Sequence, residues 1–340
     1  MATVIDVPPQ EIQQEIKALQ DELDRTIPAR VIDQSVLVAT WNLRAFGDLT
    51  EKWESEEDDS PKRDLHSIRL IAEIIRRFDV VALQEVRGNL KALRHTMKVL
   101  GPNWSLILTD VTRGKAGNNE RLGFLFDQRT VKISGLAGEL VVPEEEMIRG
   151  NEDEDAVPTE TLIRPDALQR QFARTPYAVS FRCGNQTFIL VTLHVLYGDV
   201  PSERIPELRA IAKWLDEWAR DVHTWDEKFS LITLGDFNID RKGNEQYEAF
   251  VSTGLHVPDS LQQLPRTIFS KGNPTQEKFY DQIAWFTEEN GQDAISLEYR
   301  DGGYFDFTSH ALQKRNLSKS SLSWHISDHY PLWVEFGLPR

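Results

Sequence analysis

Leu231-Ile232-Thr233-Leu234-Gly235-Asp236-Phe237-Asn238 begins as a strand with no wet face. An apolar run without polar alternation reads as a strand covered on both sides, inside a sheet packed above and below. The stretch then stops at a glycine and delivers an acid and an amide, Asp236 and Asn238, to the strand end. Similar β-rich runs occupy 36–41, 80–84, 106–109, 122–126, 178–181, 188–194, 282–286 and 332–336. Helical patterns fill 67–78, 90–100, 203–220 and 245–253. Two sheets packed face to face, with helices on the outside, bury such strands.

Upstream, residues 9–27 open at Pro9, carry Ile12, Ile16, Leu19 and Leu23 on one face and stop at Pro28. This predicts an amphipathic helix in an N-terminal extension, 1–30, that packs on the domain or on a neighbouring subunit. No repeat or Pro/Gly/Ser linker divides 31–340, which reads as one domain.

With 40% hydrophobic and 27% charged residues, the chain has the composition of a folded protein rather than a disordered one. No apolar run is long enough for a membrane span, and residues 1–10 lack the basic and apolar regions of a signal peptide. Cys183 is the only cysteine, so no intrachain disulfide can form. A small buried thiol in a cytoplasmic protein is the expectation. The formal charge of −15 opposes nonspecific binding to polyphosphate, so a nucleic-acid enzyme of this charge needs metal ions and a local basic patch. The acidic runs 51–59 and 144–155 read as solvated loops without calcium-loop spacing.

Nearly every apolar strand carries a carboxylate, an amide or a histidine at one end. Asn42 and Arg44 follow the first strand and Glu85 the second. Glu120-Arg121 precedes another, His194 closes a later one, and Asp236 and Asn238 follow 231–234. Asp281 opens a strand, and Asp328-His329 precedes the last. Singly, each is what a turn or a solvated strand end uses. Together, hard oxygen ligands and two imidazoles at sheet ends are what phosphate cleavage needs and what a packing core avoids. Carboxylates gathered without a cation would repel one another, so the cluster predicts a metal. Mg²⁺, with Mn²⁺ as a substitute, suits such oxygen donors. Imidazole, with an ordinary pKa of about 6.5, moves protons at neutral pH.

In this order, Asn42, Glu85, His194, Asp236 with Asn238, Asp281, and Asp328 with His329 resemble the endonuclease/exonuclease/phosphatase superfamily from about residue 36 to 336. Glu120-Arg121, Arg87 two residues after Glu85, Phe172-Ala173-Arg174 before Pro176, Phe305-Asp306-Phe307 and Ile326-Ser327-Asp328-His329-Tyr330-Pro331 resemble its deoxyribonuclease I branch. The resemblance implies a four-layer α/β sandwich with the site at one end of the paired sheets. It implies metal ligation by Asn42, Glu85, Asp236, Asn238 and Asp328, with one ion or two. It pairs His194 with Glu120 and His329 with Asp281 about the scissile phosphate, and leaves open which is acid and which base.

Substrate contacts implied by the same likeness are Arg87, Arg121, Arg174 and Asn238. The basic loop carrying Arg113 and Lys115 is a further expected contact. Asn118 stands where that branch has a tyrosine against the DNA sugar, and Arg44 departs from the apurinic-endonuclease pattern. The leading expectation is a Mg²⁺-dependent DNA endonuclease. A phosphomonoesterase or lipid-headgroup phosphodiesterase of the same fold, and a noncatalytic partner-binding module, are the alternatives.

Overall fold

Two parallel strand pairs, each closed by a helical crossover, form the centre of the protein. The computed structural model describes residues 2–113, 117–140, 172–220, 230–270, 277–288 and 292–339. The first sheet holds β1 (Ser35–Phe46), β2 (Val80–Arg87), β3 (Trp104–Leu108), β4 (Glu120–Asp127), β11 (Glu298–Tyr304) and β12 (Leu332–Gly337), in the order β11-β12-β1-β2-β4-β3. The second holds β5 (Lys132–Glu139), β6 (Tyr177–Cys183), β7 (Gln186–His194), β8 (Ser230–Asp236), β9 (Leu255–His256) and β10 (Asp281–Phe286), in the order β5-β6-β7-β8-β10-β9. Pairs β1/β2 and β7/β8 are parallel and all others antiparallel. A parallel pair needs a crossover, supplied here by α2 (Leu65–Ile75) and α4 (Ile205–Arg220).

Side-chain alternation builds the layers. Val36 and Val38 of β1 join Phe124, Phe181 and Phe188 in the core between the sheets. Leu37, Ala39 and Trp41 face the other way, onto Ile68, Ile71 and Ile75 of α2 and Leu93 of α3 (Lys91–Leu100). Phe181 meets Phe124 and Phe126 across the sheets at 5.5 and 5.4 Å. A buried amide ties the layers beneath the site, with Gln84 Nε2 donating to Thr192 Oγ1 at 2.9 Å. The continuously apolar β8 is buried throughout, as a four-layer α/β sandwich requires.

Several boundaries differ from the sequence reading. The helix expected at 67–78 starts earlier because Asp64 caps it, accepting from the Ser67 N–H at 2.9 Å. The one expected from residue 203 begins as a 3₁₀ turn, Pro201–Arg204, before α4. Helix α5 (Glu245–Val251) stops two residues short. Strands β5, β9 and β11 and helix α6 (Lys319–His325) lacked the expected patterns. β5 is largely exposed, β9 has two residues, β11 contains Gly302 and Gly303, and α6 is a short serine-rich turn capped by Ser318. Helix α1 (Gln10–Thr26) lays Leu19 and Leu23 into the α2 side of the core, and Glu15 accepts the Leu312 N–H. Cys183 is buried, which pushes its thiol up to about 12. Residues 144–155 lie outside the described residues. No helix among the described residues is long and apolar enough to cross a membrane.

Candidate active site

Parallel pairing brings the carboxyl ends of β1/β2 and of β7/β8 to one edge of the sandwich, where ligand sites of α/β sheets form. Register does the placing. His194 pairs with Asp236 across β7 and β8, and Asp281 pairs with Asp236 across β10 and β8. Gly235 must approach β7 closely: a Cβ there would lie 2.1 Å from the Leu193 carbonyl, and its φ is +149°. In the first sheet, the β2 register breaks between Leu83 and Val86, and Glu85 takes a φ of 60°. A bulge with left-handed backbone at a non-glycine residue re-aims a side chain at a cost in strain, as functional sites do. The Ala45 N–H, at 2.8 Å, and Asn42 Nδ2, at 3.1 Å, then hold the Glu85 carboxylate.

Asp236 lies at the centre. Asn42 Nδ2 donates to its Oδ2 at 3.0 Å and the Asn238 N–H to its Oδ1 at 2.9 Å. His194 Nε2 is 3.6 Å and His329 Nε2 3.9 Å from that same Oδ2. Each imidazole has a carboxylate behind it: Glu120 lies 3.1 Å from His194 Nδ1 and Asp281 2.7 Å from His329 Nδ1. The Ser327 hydroxyl takes the His329 N–H at 3.1 Å and donates to the Asn42 carbonyl, so the last loop is pinned to β1.

Burial opposes charge on these acids, and their partners overcome it. Glu120, 1% exposed, is held down at about 2 by the His194 hydrogen bond and the charges of His194, Arg174 and Arg87. Asp236 is likewise lowered against burial by both histidines and the bonds from Asn238 and Asn42. His329 is raised well above its ordinary value, because the Asp281, Asp236 and Asp328 carboxylates outweigh its burial. Behind the site, burial pushes Glu207 up to about 7 although it takes the Leu196 N–H at 3.0 Å.

Among the described residues, Asp236, Asp281 and His329 offer ligand atoms within 4.8 Å of one another. His329 Nδ1 and Asp281 Oδ2 already bond each other there, while the buried Oδ1 of Asp281 has no hydrogen-bond partner. Asn42 and Glu85 bond each other at 3.1 Å, and the buried Oδ1 of Asn42 likewise has no hydrogen-bond partner. An oxygen-rich set with an unsatisfied buried carbonyl fits a hard divalent cation.

The predicted residues converge unevenly. Glu85, Glu120, Arg174, His194, Asp236, Asn238, Asp328 and His329 line one cleft of about 590 Å³. Asn42 and Asp281 lie fully buried beneath it. Arg174 Nε is 2.5 Å from Glu120, and Arg87 bridges the Asn118 carbonyl at 2.6 Å and Glu120 at 3.3 Å. Arg121 donates to the Arg87 and Gly88 carbonyls, each at 3.3 Å, and is not among the residues that line the cleft. Arg113 is exposed, and Lys115 lies outside the described residues. The cleft also contains Tyr197, Thr267, Phe269, Lys278 and Tyr280, which the sequence reading missed. Tyr280 could have been found from its place beside Asp281; Tyr197 gives no such signal.

Two stacked mixed sheets with helices outside, and paired carboxylate–imidazole couples facing one buried acid at their edge, are the setting of a family whose members hydrolyse phosphoric esters. The chain belongs to the Endonuclease/Exonuclease/phosphatase family, whose sequence profile matches residues 39–253. Members of this family are typically dependent on a divalent metal. A curated relative from Thioalkalivibrio sp. (strain K90mix), described as a deoxyribonuclease, is 27% identical over 306 residues, covering 88% of this chain and 70% of the relative. The same fold occurs in an endonuclease/exonuclease/phosphatase family protein from Bacteroides thetaiotaomicron, with TM-score 0.56, 19% identity, 90% of this chain and 98% of that one. It occurs again in D. rerio TDP2 complexed with single strand DNA product, with TM-score 0.52, 14% identity, 89% of this chain and 98% of that one.

Proposed function

We propose that the protein is a Mg²⁺-dependent phosphodiesterase that cuts DNA at internal phosphodiester bonds. The observation that carries this is the convergence of His194 Nε2 and His329 Nε2 on one Asp236 oxygen, at 3.6 and 3.9 Å, each imidazole backed by its own carboxylate. Two oriented proton-transfer groups on a shared anion suit a displacement that needs one proton removed and another supplied.

Asp236 and Asn238 orient the attacking water. His194 takes its proton as the new P–O bond forms. His329, held protonated by Asp281, gives a proton to the leaving sugar oxygen as the old P–O bond breaks. Asn42, Glu85 and Asp236 would hold the cation, whose charge stabilises the phosphoryl oxygens. Asp328, ion-paired with Arg44 at 3.4 Å, faces the cleft beside them and is the further ligand if a second ion binds.

Purified protein is incubated with supercoiled plasmid, linear duplex, single strand and RNA in Mg²⁺, then in EDTA. Metal-dependent internal cutting of DNA is expected, and its absence on every nucleic acid refutes the reading. The ion pairing of Arg87 and Arg174 with Glu120 favours a second reading, a small phosphomonoester substrate, which faster turnover of such a compound than of any nucleic acid would establish.

A further inference from the structure

The cleft has two unlike walls. On one side Glu120 is paired with Arg174 and Arg87. The other side is aromatic, with Tyr197 from the loop after β7 and Tyr280 at the start of β10. These rings form a ladder. The Arg204 guanidinium lies 4.4 Å from the Tyr197 ring centre, Tyr197 meets Tyr280 edge-on at 6.4 Å, and Tyr280 stacks on the His329 imidazole at 5.8 Å.

Arg204 is 3% exposed and is fixed by more than the ring. Its Nε donates to the Tyr197 carbonyl and its Nη1 to the Asn238 carbonyl, both at 2.6 Å. One buried cation therefore braces both the Tyr197 backbone and ring and the loop that follows Asp236. Tyr197 nevertheless keeps 56% of its surface exposed. A large ring held rigid from one side and left open at the mouth of a polar cleft is suited to stacking on a planar ligand, because little conformational entropy remains to be lost.

Charge narrows the ligand. The Arg and Lys side chains that line the cleft are each engaged by an acid, Arg174 by Glu120 and Lys278 by Asp240 at 2.6 Å, and beside it Arg87 pairs with Glu120 and Arg44 with Asp328. Duplex binding draws on rows of uncompensated Lys and Arg along two phosphate backbones. A net charge of −15 opposes that mode. A cleft of about 590 Å³ lies in the range of small-ligand sites rather than of a groove for a helix. Stacking of a base on an aromatic ring binds a single strand with less demand on charge.

Resting on the phosphodiesterase reading, we propose that Tyr197, braced by Arg204, stacks an unpaired nucleobase next to the scissile phosphate. Single-stranded DNA is then the preferred substrate, and duplex is cut where it opens.

The test uses the full chain in Mg²⁺ and compares a single-stranded oligonucleotide with a hairpin duplex of equal length. Wild type is expected to show the lower KM on the single strand. Tyr197→Ala and Tyr197→Leu are expected to raise that KM by about 10- to 100-fold, the scale of one lost base–aromatic stack, with a smaller change in kcat. Tyr197→Phe keeps the ring and should restore the preference. Fluorescence anisotropy of the labelled single strand in EDTA, where turnover is absent, should show the same order of affinities.

Equal KM on both substrates for wild type overturns the proposal. So does unchanged single-strand affinity in a natively folded Tyr197→Ala or Tyr197→Leu protein. Lack of metal-dependent hydrolysis of every substrate, bis(p-nitrophenyl) phosphate included, sinks the underlying phosphodiesterase assignment as well. Cleavage of that small diester and of plasmid without single-strand preference overturns the stacking alone.

Discussion

Replacing Glu120 by Gln removes one charge from a buried cluster while nearly preserving its shape. His194, Arg174 and Arg87 hold the carboxyl at about 2 against an ordinary 4.5. That favours the charged form by about 3 kcal/mol. A carboxyl depressed by folding contributes stability that is complete above its unfolded pKa and is lost as pH falls through its folded one. The window here runs from 4.5 down to about 2. Glutamine resembles the protonated acid, so the stability difference between wild type and Glu120→Gln should shrink on acidification. Between about pH 7 and about pH 3.5 roughly one pH unit of that window is crossed, and the difference should fall by about 1 kcal/mol. Urea titrations of both proteins at the two pH values measure it. A difference that stays constant would show that the Glu120–His194–Arg174 cluster does not stabilise the anion. The same variant leaves His194 Nδ1 without the carboxylate now 3.1 Å away, so its tautomer and ring orientation are no longer set. Turnover should fall by about 10²- to 10⁴-fold, the scale of a proton-transfer group. A Glu120→Gln enzyme within about tenfold of wild type would remove His194 from the proposed mechanism.

Other outcomes follow from the same geometry. Asp281→Asn and His329→Ala should each lower turnover by about 10²- to 10⁴-fold with a native circular-dichroism spectrum, and an active His329→Ala protein would mean its role is misassigned. EDTA should abolish hydrolysis and Mg²⁺ restore it, and Glu85→Gln should shift the Mg²⁺ titration to higher concentration; an unchanged titration midpoint would place the cation elsewhere. Away from the cleft, burial, together with the charge of Arg315, lowers His66 to about 4; burial, with Arg315 and Arg63, lowers His325 to about 4 as well. Both are neutral in the folded state, so the unfolded chain binds more protons at these two sites between about 4 and about 6.5, and their contribution to stability rises with pH across that window by about 1 kcal/mol per pH unit for each group. Because Glu207, pushed up to about 7, acts in the opposite sense over the same range, the check compares urea midpoints of wild type and a His66→Gln, His325→Gln protein at about pH 5 and about pH 7, and a difference that does not change contradicts that placement of the two rings.

Buried strands were the easiest part of the fold to read, because burial on both faces excludes polar residues from 231–234 and makes any acid at the strand end conspicuous. Edge elements carry no such constraint. β5 is mostly solvent-exposed and β11 is interrupted by glycines, so neither shows the period-2 pattern that a half-buried face imposes. Within the site, the groups that must be acid, amide or imidazole announced themselves by chemistry out of place. Tyr197 did not, since an aromatic residue in a loop is ordinary until its Arg204 support and its exposure are seen together. Arg121 shows the converse, because the two backbone carbonyls that its guanidinium meets at the β2 end are visible only in the tertiary structure.

The sequence alone determined the inventory: which hard ligands and imidazoles exist, that they sit at strand ends, and that the strands between them are buried. Those are local properties, set by side-chain chemistry and hydrophobic pattern. Only the tertiary structure decided that residues from Asn42 to His329 share one carboxylate, that the β2 bulge turns Glu85 toward Asn42, and that one wall of the cleft is aromatic. Distances across the site depend on register and on how two sheets stack, and both are fixed by contacts between residues remote in the chain.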